Sequence, residues 1–321
     1  MPSQPPKPMR IGVIMPIAEG DASRDAPSYA DIRALARQAE AAGFDSIWVY
    51  DHLLYRFPEQ PTGGIWECWT LLAALAEATE RVELGTIVVC VPFRNPAVLA
   101  KMADTLDEIS GGRLILGLGA GWHQPEFDAF GIPFDHKVDR FEEALQIIAP
   151  LLREGQVDFT GKYYSAPNCE LRPRGPRPGG PEILVASFKP RMLRLTARYA
   201  DSWNTAWLGL PTKLADRRAS LEAACAEVGR DPSTLAITVG VSVAYAAPDQ
   251  PLEKTPDPDK ALFGSAEEIA AGLRAYAEQG VAHVICSLEP ATPESLAWLA
   301  EALRIYRGVD GTWTITDERG F

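Results

Sequence analysis

The chain is poor in the residues from which metal sites and disulfide frameworks are built. Its 321 residues include 4 histidines and 5 cysteines, with no Cys-x-x-Cys pair and no two histidines spaced four apart. Scattered thiols without close partners are typical of a reduced, cytoplasmic protein, so we expect neither disulfide bonds nor a metal-dependent enzyme. The isolated cysteines are Cys68, Cys90, Cys169, Cys225 and Cys286.

Positive charge and long apolar runs are also scarce. The 31 lysines and arginines are outnumbered by 43 aspartates and glutamates, which gives a net charge of -12. Such a balance disfavours binding to nucleic acid and to anionic membranes. No apolar run approaches the roughly 20 residues of a membrane span, and residues 1–7 lack the apolar core of a signal peptide. We therefore expect a cytoplasmic protein that acts on a small-molecule substrate.

The sequence does contain a regular alternation of apolar runs of strand length with stretches of helical period. Eight such βα units predict a single-domain (β/α)8 TIM barrel over residues 1–321, because a doubly wound sheet seldom reaches eight pairs. One further segment, residues 156–164, alternates like a hairpin. The predicted strands are residues 10–16, 46–50, 82–90, 113–118, 183–186, 202–205, 235–243 and 281–287. The predicted helices are residues 28–42, 66–79, a helix beginning at Pro96, 137–153, 190–199, 211–228, 266–279 and 293–306.

The loops that follow the strands are unequal in length. In a barrel of this kind the reactive groups lie at the carboxyl-terminal ends of the strands and in these βα loops. Three of the loops, residues 51–65, 122–136 and 247–263, are long and rich in aromatic residues or proline. Since all three belong to the same face, we predict that they form a lid which excludes water.

His52 is the only histidine placed directly after a predicted strand. An imidazole there points into the mouth of the barrel and is suited to act as a general base or as a donor to a polar ring. Asp51 is adjacent and is expected to orient it; the alternative is a histidine that caps the following loop. His283, at the start of the eighth strand, is expected to be structural, whereas His123 and His136 are either ligand contacts or surface histidines.

Three alternate glycines, Gly117, Gly119 and Gly121, end the fourth predicted strand. They allow a flat ring or a phosphate to approach the backbone closely, although tight packing inside the barrel is the alternative. No helix follows at once, which disfavours a Rossmann phosphate loop. Trp122 and Trp207, just beyond the fourth and sixth strands, are placed to wall a planar cofactor.

The segment that links the fifth strand to its helix indicates an anion site. Ser187 is the predicted N-cap, and Pro190 fits the first helical turn. Free amides beside Lys189 and Arg191, with Phe188 between the cap and the lysine, favour a bound phosphate. The alternative is an ordinary helix cap that carries surface charges.

Several segments taken together resemble the luciferase-like flavin-dependent oxidoreductases. Their order and spacing make the likeness specific, and they cover most of the chain. The matching runs are AAGFDSIW and DH in residues 41–52, LGT and RNP in 84–96, ISGGR and GW in 109–122, DRFEE in 139–143, FTGKYY in 159–164, and ARYADSWN in 197–204.

The resemblance implies a (β/α)8 barrel that binds reduced FMN or the deazaflavin F420, with the ring in the barrel mouth. It also implies a non-prolyl cis peptide in the third strand behind the ring, at Ile87, Val88 or Val89. Cys90, at the top of that strand, is expected to line the site without acting as a nucleophile, because no activating partner is indicated. His52 matches the active-site histidine of the family.

The resemblance also assigns residues 187–191 to the cofactor phosphate. The sugar-phosphate dehydrogenases of the family carry an acidic residue where this chain has Trp122, which favours an apolar or aromatic substrate here. Three functions stay open. They are F420-dependent hydride transfer, slightly favoured, monooxygenation with O2 and reduced FMN supplied by a separate reductase, and a non-catalytic flavin-binding barrel. A homodimer is expected through the second and third helices, with Trp69 and Leu72 on the contact surface.

Overall fold

Eight short and largely buried strands hydrogen-bond in parallel to their sequence neighbours in the computed structural model of the chain. The structure describes residues 8–246, 252 and 255–309. Sequential pairing runs around the whole sheet, and Arg10 of the first strand pairs with His283 of the last, which closes the ring. The prediction of a (β/α)8 barrel is therefore confirmed. The barrel strands β1 to β8 are Arg10–Ile14, Ser46–Val49, Glu83–Thr86, Leu114–Gly119, Glu182–Ala186, Ser202–Leu208, Ala236–Ala244 and His283–Glu289.

A helix follows each barrel strand and buries one apolar face. In the first of these helices the buried residues are Ile32, Leu35, Ala36 and Ala39, at the spacing that predicted it. Ser28 begins that helix with a capping box. The outer helices α1 to α8 are Tyr29–Ala41, Cys68–Ala78, Pro96–Ile109, Lys137–Glu154, Pro190–Tyr199, Leu214–Val228, Ala266–Glu278 and Pro293–Arg307.

Several elements differ from the prediction. The third strand is interrupted, because its continuation Val89–Cys90 pairs with β4 only after a break at residues 87 and 88. The predicted hairpin is present but longer, since Gln156–Thr160 pairs antiparallel with Ser165–Glu170. The short helix Gln124–Ala129 and the short strand Ala261–Leu262 were not predicted. Part of the long loop at residues 247–263 lies outside the described residues.

The interior of the barrel is filled at its amino-terminal end. Trp48 is fully buried there, and Gly85 makes room for it, since a Cβ at residue 85 would lie 2.1 Å from Trp48 Cε3. The Trp48 indole donates to Ser46 Oγ at 2.7 Å, and this hydroxyl lies 2.8 Å from Nε2 of His283. A ligand must therefore enter from the opposite end. The side chains packed inside the barrel are Ile14, Trp48, Ile87, Ile115, Leu184 and Ile285.

Trp69 and Leu72, predicted to lie on a dimer surface, are in the core instead. They are 5% and 0% exposed, because the face of α2 that carries them packs inward. The assignment of these two residues to a contact surface was wrong, and the homodimer stays a prediction, as does the single-domain organisation. No helix in the described part of the chain is long and apolar enough to cross a bilayer.

Candidate functional site

The carboxyl-terminal ends of the barrel strands surround a cavity of about 380 Å³. This is the face on which the βα loops of such barrels build their sites. The apolar lining residues are Ile14, Ile87 and Val88, joined by Cys90 and Gly121. The aromatic ones are Tyr50, Tyr55, Trp122 and Trp207, and the polar ones are Asp21, Asp51, His52, Glu126, Ser242, Ser287 and Glu289.

His52 lies just beyond the end of β2 and is anchored from one side. Its Nδ1 is 2.9 Å from Oε1 of Glu126, and the backbone N–H of Leu53 donates to Oε2 of the same carboxylate at 2.9 Å. Glu126 is only 1% exposed. A buried carboxylate at Nδ1 favours the tautomer with its proton on that nitrogen. Nε2 of His52 has no protein partner among the described residues, so it is available to a ligand in the cavity.

Asp51 does not orient His52, contrary to the prediction. Its carboxylate accepts from the backbone N–H of Cys90 at 3.0 Å and from Arg94 at 2.5 and 3.1 Å. Neighbouring residues of an extended segment point to opposite sides, which directs Asp51 towards the third strand. Burial raises the pKa of the Asp51 carboxyl, and the Arg94 guanidinium opposes that rise. Asp51 thus links the end of β2 to the continuation of the third strand at Cys90. The carboxylate that orients His52 is that of Glu126.

Glu126 was missed by the sequence analysis. It belongs to the short helix Gln124–Ala129, inside a loop that the prediction left without structure. A signal for this helix was present, because Pro125 stands in its first turn and an acidic residue follows it. The contact with His52 spans 74 positions in the chain and has no local signal.

Aromatic rings enclose the imidazole of His52. The ring of Tyr55 lies 4.7 Å from it, that of Trp122 5.5 Å and that of Tyr50 6.2 Å, measured between centroids. Trp122 and Trp207 are 57% and 47% exposed and line the cavity, and their contact with a planar cofactor stays a prediction. Burial, with a further contribution from the charge of Asp21, raises the pKa of both tyrosines, which therefore stay neutral phenols.

Of the three alternate glycines, two are required for close packing and one lines the cavity. A Cβ at Gly117 would lie 1.8 Å from the carbonyl oxygen of Thr86, and one at Gly119 would lie 2.5 Å from Cγ2 of Val88. The packing alternative therefore accounts for these two. Gly121 lines the cavity and has a φ of +76°, a conformation that favours glycine.

The third strand meets the expectation drawn from the resemblance. The peptide between Ile87 and Val88 is cis, and both side chains line the cavity. Val89 is fully buried and does not line it. Burial, with the charges of nearby carboxylates, raises the pKa of the Cys90 thiol, which lines the cavity as an uncharged group.

Ser187 does not cap the helix that follows it. The Ser187 hydroxyl is hydrogen-bonded to Oγ1 of Thr196 at 2.8 Å. The residue at the N-cap of the helix is Lys189. Lys189 is exposed and Phe188 is 62% exposed. The prediction of Ser187 as N-cap was wrong: α5 begins at Pro190, as predicted, so its N-cap is Lys189, and the Ser187 hydroxyl is buried against Thr196. The backbone amides at the start of the helix remain open to an anion.

Arg191 already has partners on the protein surface. Its guanidinium pairs with Asp139 at 2.5 Å and with Glu142 at 2.7 Å. Neither this residue nor Ser187, Phe188 or Lys189 lines the cavity. The segment 187–191 thus lies at the same end of the barrel but outside the lining of the cavity.

The other histidines differ sharply from His52. His123 is 4% exposed, and its Nε2 accepts from the backbone N–H of Arg56 at 3.0 Å. Burial lowers the pKa of His123. His136 is on the surface beside Asp139. His283 is buried at the opposite end of the barrel, as expected for a structural histidine.

Comparison with known proteins identifies relatives over most of the chain. The model of the luciferase-like monooxygenase family matches residues 9–255. The phthiodiolone/phenolphthiodiolone dimycocerosates ketoreductase of Mycobacterium sp. (strain JLS) is 34% identical over 215 residues, which cover 61% of this chain and 56% of that protein. The pyrimidine monooxygenase RutA of Agrobacterium fabrum (strain C58 / ATCC 33970) is 32% identical over 252 residues, 72% of this chain and 67% of that protein. The chain thus spans less than two thirds of the mycobacterial relative.

Solved structures share the fold at lower identity. An F420-dependent secondary alcohol dehydrogenase in complex with an F420–acetone adduct superposes with a TM-score of 0.75 and 20% identity, over 93% of this chain and 99% of that one. A riboflavin lyase with modified FMN and riboflavin gives a TM-score of 0.75 and 16% identity, over 95% and 93%. F420 and FMN, the two cofactors implied by the resemblance, are thus both named among the structural relatives.

Proposed function

Because the chain belongs to the luciferase-like monooxygenase family, we propose that it transfers hydride between F420 and a small organic substrate in the cavity beside His52. The observation that carries the proposal is the position of this imidazole, anchored at Nδ1 by Glu126 and open at Nε2. A general acid or base must lie within hydrogen-bond reach of the proton it moves. His52 meets that requirement for a substrate oxygen in the cavity.

The lining of the cavity supports the binding of the cofactor ring there. Ile14, Ile87 and Val88 form an apolar floor, and Trp122 closes one side. Aromatic and apolar groups with a few placed polar ones are what cofactor pockets usually present. When bound, the cofactor supplies the carbon that accepts or donates hydride.

The residues of the chain then have distinct tasks. His52 takes up the proton of a substrate hydroxyl at Nε2, or returns it in the reverse direction. Glu126 holds the imidazole in the tautomer that leaves Nε2 free for this step. Trp122 and Tyr55 reduce the access of water to the imidazole.

We propose that residues 187–191 hold the phosphate of the cofactor. The open amides at the start of α5 and the exposed Lys189 support this assignment. Arg191 would have to exchange Asp139 and Glu142 for the phosphate. Exposed ion pairs of this kind contribute about 0 to 1 kcal/mol, so the exchange is not a barrier to binding.

Monooxygenation with reduced FMN is the second candidate function. It is favoured by the similarity to pyrimidine monooxygenase, which covers 72% of the chain, against 61% for the ketoreductase. In that case a separate reductase would supply the reduced flavin. A non-catalytic flavin-binding barrel is the third alternative, and the retained His52 with its ordered carboxylate partner argues against it.

Titration of the purified protein with F420, FMN and riboflavin, followed by absorbance, tests the proposal. We expect F420 to bind at micromolar concentration and to bleach when an oxidisable substrate is added without oxygen. Oxygen consumption with reduced FMN that depends on an added substrate, with one oxygen atom appearing in that substrate, would instead select the monooxygenase. Failure to bind either cofactor would contradict both.

The phosphate assignment has its own control in the same titration. Lys189→Gln should weaken the binding of F420 or FMN, whichever the protein takes up, and leave that of riboflavin, which lacks the phosphate, unchanged. An equal loss for the cofactor and for riboflavin would contradict the assignment.

A further inference from the structure

The lining of the cavity is negatively charged. Among the described residues that line it there is neither lysine nor arginine, and the charged side chains are Asp21, Asp51, Glu126 and Glu289. Asp51 is compensated by Arg94 behind the wall, whereas Glu126 is hydrogen-bonded to His52, which is charged only when it is protonated. Asp21 and Glu289 have no basic partner among the described residues, so the cavity has an excess of negative charge.

Asp21 is held in place by hydrogen bonds to one of its two carboxylate oxygens. Its Oδ2 accepts from the backbone N–H groups of Ile17 at 2.8 Å and Ala18 at 2.9 Å, and from the hydroxyl of Tyr50 at 2.5 Å. Oδ1 has no partner among the described residues. All three bonds fix the carboxylate without neutralising it, since none of the donors carries a charge. A ligand in the cavity therefore meets a preorganised negative group.

Glu289 adds a second uncompensated carboxylate. It ends β8, is exposed and lines the cavity beside Ser287. No ion pair involves it in the described part of the chain. Its carboxylate and that of Asp21 therefore act together on any charged ligand in the cavity.

The aromatic rings complete a surface suited to a cation. The rings of Tyr50, Tyr55 and Trp122 stand around His52 at 60°, 46° and 75° to the imidazole, and Trp207 contributes a further wall. Ring faces attract a cation placed within about 6 Å of their centroids, and quaternary ammonium groups are the ligands most often held this way.

The pKa of Tyr55 reflects the same negative electrostatic potential in the cavity. The charges of Asp21 and Glu126 add to burial in raising the pKa of the Tyr55 phenol. A field that disfavours a phenolate also disfavours a bound carboxylate, sulfonate or phosphate ester.

From this arrangement, and resting on the proposed function, we infer that the substrate is an organic cation, an amine or ammonium compound with an apolar or aromatic body. The uncompensated carboxylates of Asp21 and Glu289 attract its charge, and the rings of Tyr50, Tyr55 and Trp122 receive its alkyl groups. Anionic substrates of the same shape are excluded.

Three probes of similar shape test the inference. They are benzyltrimethylammonium, neutral benzyl methyl sulfone and anionic benzylsulfonate, titrated by calorimetry into the protein loaded with the cofactor that it binds. We expect the ammonium to bind at least about 10-fold more tightly than the sulfone, with no detectable binding of the sulfonate. The preference should shrink as salt is added. Equal or tighter binding of the sulfone or the sulfonate would overturn the inference.

Charge-removing variants locate the effect. Asp21→Asn and Glu289→Gln should each weaken the binding of the ammonium about fivefold and leave the sulfone unchanged. Glu108→Gln is the matched control, because Glu108 is exposed at the far end of α3. Equal losses in the control and in the cavity variants would also overturn the inference.

The two proposals fail separately. If a cofactor binds but the probes are not discriminated by charge, only the identity of the substrate is wrong. If no cofactor binds, the proposed function is wrong, and the same titrations on the cofactor-free protein still decide whether the cavity prefers cations.

Discussion

Arg113 and His52, at the two ends of the barrel, differ in how many of their hydrogen-bonding groups have partners within the protein. At the amino-terminal end, Arg113 donates to backbone carbonyls of Ala76, Thr79, Val82 and Ser110 at 2.7 to 2.9 Å, and its hydrogen-bonding capacity is used within the protein. At the carboxyl-terminal end, His52 uses one ring nitrogen within the protein and leaves the other to the cavity. The first arrangement stabilises the fold, whereas the second leaves groups available for a ligand.

Two histidines show a second contrast, in their burial and in the group that faces Nδ1. His283 is fully buried at the amino-terminal end, with Nε2 near Ser46 Oγ and Nδ1 without a partner in the described part of the chain. His52 has a buried carboxylate at Nδ1, and its side chain is 14% exposed. Burial holds the pKa of His283 well below its usual value of 6.5, so it stays neutral in the folded protein. A carboxylate partner at one nitrogen and an open second nitrogen therefore distinguish His52 from a histidine packed inside the protein.

The largest expected effect is the loss of turnover in His52→Ala. Removal of a general acid or base lowers the rate about 100-fold or more. The free energy of unfolding should also fall, by about 1 to 3 kcal/mol, because the buried carboxylate of Glu126 loses its hydrogen bond from the imidazole. Steady-state kinetics and chemical denaturation measure the two quantities.

His136→Ala provides the control for this substitution. His136 is on the surface beside Asp139, and its replacement should leave turnover unchanged. Full activity in His52→Ala would remove the distinction drawn between the two ends of the barrel.

Local patterns predicted the barrel because each βα unit carries its own signal. The buried face of α1 and the serine that caps it lie in consecutive residues, within the predicted range 28–42. The end of β2 at Val49 was predicted to within one residue, which placed His52 on the correct face. What was predicted is therefore what short stretches of sequence determine.

The partners of the site residues could not be predicted in this way. Glu126 reaches His52 across the barrel mouth from a different loop, and Arg94 removes Asp51 from the role expected of it. Arg191 finds carboxylates on α4 rather than remaining open. Each pairing depends on the relative position of distant elements, which a single sequence without an alignment does not reveal.

The second prediction concerns stability in acid. Below about pH 6.5 the unfolded chain binds a proton at residue 283 and the folded chain does not. The contribution of His283 to stability is therefore present above that pH and is lost as pH falls, by at most about 2 kcal/mol at pH 5. Urea unfolding of the native protein and of His283→Gln at pH 7 and pH 5 measures it.

The variant should lose less stability than the native protein between the two pH values, by at most about 2 kcal/mol, whatever its stability at pH 7. His136→Gln, which removes an exposed histidine, should keep the native dependence. Identical losses in the native protein and in His283→Gln would show that His283 accepts a proton in the folded state. The contrast between the two ends would then be weaker than the structure indicates.

The smallest expected effect is the most specific to the site. Glu126→Gln keeps the size of the side chain but removes the charge that favours a proton on Nδ1 of His52, so turnover should fall about 10-fold with little change in KM. With only 4 histidines in the chain, nitrogen NMR of protein labelled at histidine can follow the tautomer directly. We expect the His52 signals to shift towards the form protonated at Nε2. Asp51→Asn is the matched control, because its carboxylate bonds Arg94 and Cys90 instead. A tautomer shift in Asp51→Asn, with none in Glu126→Gln, would return the orienting role to Asp51.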